Sequence, residues 1–181
     1  MDREILLDVH HLTIGTLSGG NNRVVNDISF RLRRGETLGI AGESGSGKSL
    51  TALSILGLLP PPFHVISGNI WFRTSENHWV DLCRLPEKNL RKIRGNQIGI
   101  VFQDPMSSLN PSLSCGFQIT EALRTCDKIP SQNLHEQCMN LLGEIGISDP
   151  ERISRSYPFQ LSGGQRQRVM IAMAIAGNPQ L

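Results

Sequence analysis

The sequence has little excess charge of either sign and no long apolar run. Its 18 Lys and Arg residues nearly balance its 16 Asp and Glu residues, and the formal net charge is +2. Such a balance argues against a general nucleic-acid binder, so any recognition of phosphate has to be local. The longest apolar stretches, 50–62 and 169–176, are shorter than the roughly 20 residues of a membrane-spanning helix. We therefore expect a soluble protein that reaches a membrane only through partners.

The sequence also lacks a cysteine motif and a signal peptide. Its cysteines fit neither a C-x-x-C redox motif nor a zinc knuckle; they are Cys83, Cys115, Cys126 and Cys138. We expect reduced, mostly buried thiols in a cytosolic protein. Charged residues interrupt the first ten positions, which leaves no room for the apolar core of a signal peptide.

The first half of the chain predicts a β-rich core around one loop and one helix. A length of 181 residues favours a single domain. Residues 5–32 are rich in β-branched and apolar residues on either side of a turn-forming run at 18–22, which predicts short strands of an antiparallel ribbon, and 35–41 predict a buried strand. A Gly/Ser loop and an apolar helix over 48–59 follow, and three prolines stop that helix. Further elements are predicted as strands over 68–72, 79–82 and 97–102 and as a basic helix over 87–94.

The second half is predicted to be helical. Helices are expected over 117–126, 133–145 and 163–176. On the middle one, apolar side chains recur at helical spacing on one face; they are Leu134, Cys138, Leu141, Leu142 and Ile145. This pattern indicates a helical subdomain.

A glycine-rich segment between the predicted strand and helix has the pattern G-x-x-x-x-G-K-[ST]. Its residues are Gly42, Glu43, Ser44, Gly45, Ser46, Gly47, Lys48, Ser49 and the following Leu50. Glycines let the backbone curl so that successive N–H groups point at one phosphate. Lys48 then supplies charge to the β- and γ-phosphates, and the Ser49 hydroxyl is the natural Mg²⁺ ligand. A flexible Gly/Ser linker is the alternative, but it would not be flanked by a strand and a helix.

A second segment predicts another anion-receptive helix start. Leu161 is followed by Ser162, Gly163, Gly164 and Gln165, and then by an apolar helix. Ser162 suits the N-cap, and the glycines leave the unpaired N–H groups of the first turn open. An ordinary Ser-capped helix is the alternative.

Together the two segments resemble the P-loop and signature of the ABC ATPases. The resemblance implies a head-to-tail dimer, in which Ser162, Gly163 and Gly164 of one subunit close over the ATP held by Lys48 of the other. It assigns catalytic roles to Lys48 and Gln103, and Mg²⁺ ligation to Ser49 and Gln103. The wider runs 101–111 and 157–168 are similar to the ATPases of dipeptide, oligopeptide and nickel importers.

The resemblance implies an α/β fold of the P-loop NTPase class, an ABC nucleotide-binding domain with an antiparallel β subdomain and a helical subdomain. We expect the β-rich core over 1–102, the helical subdomain over 103–168 and a helix over 169–181. In the family, the next strand ends in Asp-Glu, so we expect the core sheet to be incomplete at the C-terminus. The chain alone is then expected to bind ATP and hardly hydrolyse it, because the carboxylate that positions water is not among its residues.

One departure concerns the adenine base. Family members carry an aromatic residue upstream of the P-loop that stacks on adenine, whereas residues 12–17 contain none. Aliphatic contact from Ile14 or Leu17 is the expected substitute, and it is weaker than stacking.

The resemblance also implies partners and a location. These are a second ABC ATPase subunit, identical or paralogous, the membrane-spanning permease subunits and an extracytoplasmic substrate-binding protein, with no nucleic acid. The subunit would lie on the cytoplasmic face of the bacterial inner membrane. A non-catalytic fragment and a soluble ABC ATPase of translation or DNA repair are the alternatives, with a simple P-loop kinase or GTPase third.

Overall fold

The computed structural model describes residues 4–16, 22–104, 108–125 and 133–181. The chain divides into two compact units, Met1–Arg91 and Lys92–Leu181. Within the described ranges, no helix is both long and apolar enough to cross a bilayer.

The first unit is built on a four-stranded antiparallel sheet with the order β2-β1-β3-β4. The strands are β1 (Ile5–Thr16), β2 (Arg23–Arg33), β3 (Phe63–Arg73) and β4 (Trp79–Asp81). Leu7 lies opposite Phe72 and Val9 opposite Ile70, and all four side chains are buried on one face. Side chains alternate between the two faces of a strand, so this register gives one apolar face. The predicted antiparallel ribbon and the strand pair that follows it are confirmed.

Helix α1 (Lys48–Ile55) begins at the predicted residue but is shorter than predicted. Its C-cap is Leu56, and Gly57 follows with a left-handed φ of 62°. The Gly57 N–H donates to the carbonyl of Ser54 at 3.0 Å. Glycine adopts this conformation without strain, so Gly57 ends the helix before the prolines are reached. A further helix, α2 (Glu87–Ile93), confirms the predicted basic helix.

Two predicted strands are wrong. Residues 35–41 form no strand, and Leu38 and Ile40 are 42% and 47% exposed rather than buried. Residues 97–102 make only an isolated bridge among the described residues, between Ile98 and Arg94, and their backbone groups bond residues 93, 95, 180 and 181. A segment becomes a strand only when a neighbour pairs with its backbone groups, and no ladder forms on either segment in the described part of the chain. An apolar run does not specify which other segment pairs with it.

The second unit is a bundle of short helices around one core. The helices are α3 (Cys115–Arg124), α4 (Leu134–Glu144), α5 (Pro150–Arg155) and α6 (Gly163–Ile175), and a 3₁₀ turn (Pro158–Gln160) precedes α6. The predicted helices are therefore confirmed, with bounds that differ by at most two residues. On α4, Leu134, Cys138 and Leu142 are buried, and Leu141 and Ile145 pack partly buried against the same core. The predicted apolar face is therefore correct.

The described thiols are free, and two of them are core residues. Cys115 and Cys138 are fully buried, and Cys83 is half-buried. Burial raises the pKa of each of the three thiols to about 11. This agrees with the prediction of buried, unreactive thiols; Cys126 lies outside the described residues.

Candidate functional site

The glycine-rich loop forms a tight turn that leads directly into α1. Gly45 and Gly47 have left-handed φ values of 81° and 90°, and Gly47 is the N-cap of the helix. A Cβ added to Gly47 would lie 2.6 Å from the Cγ2 of Val25. Position 47 therefore needs glycine both for its backbone angle and for its contact with β2.

Lys48 turns its ammonium group back over this loop. Its Nζ donates to the carbonyl oxygens of Gly42 (2.8 Å) and Glu43 (2.6 Å) and to the Ser46 hydroxyl (3.2 Å). All three acceptors are neutral, and none of the ion pairs between described residues includes Lys48. An uncompensated cation held at a helix N-terminus is suited to bind an anion.

The hydroxyl groups of α1 separate into two sets. Thr51 and Ser54 are buried and donate to backbone carbonyls of their own helix, to Gly47 at 3.0 Å and to Thr51 at 2.6 Å. Ser49, in contrast, is exposed in the first turn, beside the half-buried Lys48. Of these three hydroxyl groups, only that of Ser49 is open to a ligand at the loop.

The second predicted segment forms the start of α6. The Ser162 hydroxyl accepts a bond from the Gln165 N–H at 3.3 Å, and the Gln165 side-chain oxygen accepts from the Ser162 N–H at 3.0 Å. This reciprocal capping box uses the N–H groups of Ser162 and Gln165, and the two glycines between them, Gly163 and Gly164, are exposed. An open cavity of about 310 Å³ lies beside this turn, lined also by Arg152 and Arg168.

The glycines of this turn are not required by packing. A Cβ at Gly163 or at Gly164 would meet no atom of the chain within 4 Å, and neither residue has a left-handed φ. Glycine in a helix costs about 1 kcal/mol relative to alanine. The fold of the chain therefore gives no reason for glycine here, and the open space is available to an external group.

Gln103 is exposed and lies in neither a helix nor a strand, directly after the exposed Phe102. It belongs to the second unit, as does the α6 turn, whereas the glycine-rich loop belongs to the first. The structure thus brings together residues 42–50 in one place and residues 162–165 in another.

Ile14 does not fit the expectation for the adenine base. Its side chain is fully buried in the sheet, because β1 directs it onto the apolar face. Ile14 is therefore unavailable to any ligand, and this prediction is wrong. Leu17, the other residue expected there, lies outside the described residues.

Sequence reasoning missed Gln118, which organises the segment that follows Gln103. The side chain is buried on α3 and accepts from the Asn110 N–H at 2.9 Å. It also donates to the carbonyls of Asn110 and Leu113, both at 3.0 Å. One glutamine thus satisfies three backbone groups of a loop, and no local pattern distinguishes it from a solvated helical glutamine.

Known proteins share both the sequence and the fold of this chain. Residues 25–181 match the family model described as ABC transporter. The chain is 44% identical to the dipeptide transport ATP-binding protein DppD of Bacillus subtilis, over 98% of the chain and 52% of the relative. It is also 44% identical to the oligopeptide transport ATP-binding protein OppD of the same organism, over 97% of the chain and 48% of the relative. The chain thus spans about half the length of these curated relatives.

Among solved structures, the chain is similar to the dimeric, post-hydrolysis state of the ATP-binding cassette MJ0796 bound to ADP and Pi. The TM-score is 0.79 at 28% identity, over 96% of this chain and 71% of that one. It is also similar to cbiO1 of Clostridium perfringens, part of the ABC transporter complex cbiONQ, with a TM-score of 0.73 at 30% identity, over 97% of this chain and 63% of that one.

Proposed function

Since the chain belongs to the ABC transporter family, we propose that it binds MgATP as the ATP-binding part of a bacterial peptide importer. The names of the relatives support peptide rather than nickel, because the matched proteins include dipeptide and oligopeptide transport ATP-binding proteins. The observation that carries the proposal is the loop around Lys48, where a cation with only neutral partners lies at the start of α1.

The loop fits a nucleotide triphosphate in three respects. The left-handed Gly45 and Gly47 curl the backbone, as a phosphate cradle requires. Lys48 exchanges its neutral loop oxygens for charged phosphate oxygens, and such charge-assisted bonds contribute about 1.5–3 kcal/mol each. The exposed Ser49 hydroxyl would hold Mg²⁺, which neutralises charge on the phosphate oxygens when it is bound. The family resemblance, and not the geometry of the loop, is the basis for proposing Gln103 as a second Mg²⁺ ligand.

The start of α6 serves the nucleotide of a second subunit in this proposal. The exposed residues Gly163 and Gly164, which follow the N-cap Ser162, match the family's signature, and the free space around both glycines leaves room for a phosphate at their N–H groups. The MJ0796 cassette supports such an arrangement, since it is a dimer bound to ADP and Pi. The partner subunit is identical or paralogous.

Coupling to transport requires further partners. We propose that the subunit binds at the cytoplasmic face of the inner membrane to permease subunits, with Gln103 relaying nucleotide state to them. An extracytoplasmic substrate-binding protein would supply peptide to the permease. The names of the relatives, which are transport ATP-binding proteins, support the association with permease subunits.

The experiment is a titration of the chain with MgATP, in which isothermal titration calorimetry measures the binding affinity. We expect Lys48→Ala to weaken binding by at least tenfold, since about 1.4 kcal/mol is a factor of ten and Lys48 supplies more than one charge-assisted bond. The matched control is Lys88→Ala, which removes an exposed lysine from α2 in the same unit. Equal affinity of Lys48→Ala and wild type for MgATP would place the nucleotide elsewhere and end the proposal.

A further inference from the structure

Two arginines in the first two turns of α6 bind backbone carbonyls outside the helix. The Arg166 Nε donates to the Pro158 carbonyl at 2.6 Å. A guanidinium nitrogen of Arg168 donates to the Ile145 carbonyl at 3.1 Å and also to that of Gly146. The side chains therefore tie the helix to the 3₁₀ turn before it and to the end of α4.

The spacing of the two arginines places their Cα atoms on opposite sides of the helix. Positions i and i+2 are about 200° apart around a helix of 3.6 residues per turn. A single contact lets a helix end rotate about its axis, whereas contacts on opposite sides oppose rotation in both directions. Arg166 and Arg168 together fix the orientation of the first turn.

The end of α4 is a firm anchor for Arg168. Ile145 is the C-cap, Gly146 has a left-handed φ of 76°, and the Ile147 N–H donates to the Leu142 carbonyl at 3.0 Å. Ile147 and Leu142 belong to the core of the unit. Carbonyls at a helix C-terminus carry partial negative charge, which a guanidinium stabilises. A Cβ at position 146 would lie 2.7 Å from Arg168, so glycine admits the guanidinium.

The first turn of α6 has little other support. Ser162, Gly163 and Gly164 are exposed, and continuous core packing of the helix begins only at Val169. Leu161 anchors the chain before the turn, and the capping box orders the turn internally without fixing it to the rest of the unit. The placement of the turn therefore depends on Arg166 and Arg168.

We infer that Arg166 and Arg168 are positioning residues, which hold the Ser162–Gly164 turn in the orientation that receives the nucleotide of the partner subunit. This inference rests on the proposed function. It assigns the arginines no contact with nucleotide, so their loss changes the recognition between subunits and leaves the P-loop unaltered.

The test compares wild type with Arg168→Met, which keeps the aliphatic stem and removes the guanidinium, and with Arg168→Lys, which can bond one of the carbonyls. Arg155→Met is the control, because Arg155 is an exposed arginine of the same unit whose ion pair with Glu151 measures 3.2 Å. Three quantities are measured. The first is the rate of amide hydrogen exchange, and the second is the affinity for a non-hydrolysable MgATP analogue. The third is association in the presence of that analogue, either of the chain with itself or with the paralogous subunit.

We expect Arg168→Met to speed exchange at residues 163–166 about tenfold, without change at the core helix α4 residues Cys138–Leu142. Nucleotide affinity should stay within about twofold of wild type, while association weakens about tenfold. The exchange rate and the association of Arg168→Lys should lie between those of wild type and Arg168→Met. Arg155→Met should match wild type in all three quantities.

Exchange at residues 163–166 that is the same in Arg168→Met and wild type overturns the inference. So does acceleration that is uniform over the whole unit, since it would mean general destabilisation. If wild type fails to associate in the presence of the analogue, the dimer assumed by the proposed function is contradicted. If wild type associates and Arg168→Met associates equally well, only the positioning role of the arginines is contradicted.

Discussion

Gly47→Ala should destabilise the first unit through two effects that the structure separates. Alanine at a left-handed φ costs about 1–2 kcal/mol. The new Cβ would also lie 2.6 Å from Val25 Cγ2 and 3.3 Å from the Val24 carbonyl oxygen. Overpacking of this kind costs about 1–3 kcal/mol. We therefore expect the free energy of unfolding to fall by about 2–5 kcal/mol, measured by urea denaturation followed by circular dichroism.

Gly45→Ala is the matched control for backbone strain. Gly45 also has a left-handed φ, of 81°, but an added Cβ would meet nothing within 4 Å. Gly45→Ala should therefore lower the free energy of unfolding only through backbone strain, by about 1–2 kcal/mol. Adding Val25→Ala to Gly47→Ala should restore part of the loss, so the double mutant should be more stable than the sum of the single effects predicts. Equal losses for Gly45→Ala and Gly47→Ala would refute the steric reasoning.

Two further predictions concern the start of α6 and the buried thiols. Ser162→Ala should lower the free energy of unfolding by about 1 kcal/mol, because the N-cap is lost. Ser162→Asp keeps a capping side chain and should keep the stability, but its negative charge repels phosphate and should abolish association in the presence of an MgATP analogue. Association by Ser162→Asp would contradict the proposed contact. Because burial raises the pKa of Cys115 and Cys138 from 9.0 to about 11, the thiolate fraction at pH 8 is about a hundredfold smaller than for an ordinary thiol. Alkylation of both by iodoacetamide should be correspondingly slow at pH 8 and faster as pH rises, and mass spectrometry showing rapid modification at pH 8 would contradict their burial.

The helices of the second unit followed from sequence because their determinants are local. Ser114 caps α3, Ser162 caps α6, and the apolar spacing of α4 faces the core as predicted. Helix α5 was missed, although Asp149 at its N-cap and Pro150 in its first turn are the usual start signals. A helix of six residues is too short to show apolar periodicity.

Strands were harder to predict, because pairing is not local. The β1–β2 ribbon was recognised from two segments rich in β-branched and apolar residues on either side of a turn-forming run, but 35–41 and 97–102 were predicted as strands without such a partner beside them. Leu38 and Phe102 are exposed instead. Their burial depends on neighbours that no local pattern specifies.

At the candidate site, the motif residues were identified from sequence and their surroundings were not. The pattern around Lys48 predicts a phosphate loop, and the structure adds that Lys48 bonds the loop's own carbonyl oxygens. Spacing alone does not reveal that Val25 limits position 47 or that Arg168 reaches Gly146, since each contact joins segments distant in sequence. The expectation for Ile14 was wrong because strand register, not composition, decides which side chain is accessible.

We propose that nucleotide phosphates bind in the loop around Lys48. The decisive experiment is an NMR titration of the isotopically labelled chain with MgATP, which follows the amide chemical shifts. We expect saturable shifts concentrated at the backbone N–H groups of residues 44–49, with the α4 core residues unchanged. Saturable binding that leaves residues 44–49 unshifted would contradict it.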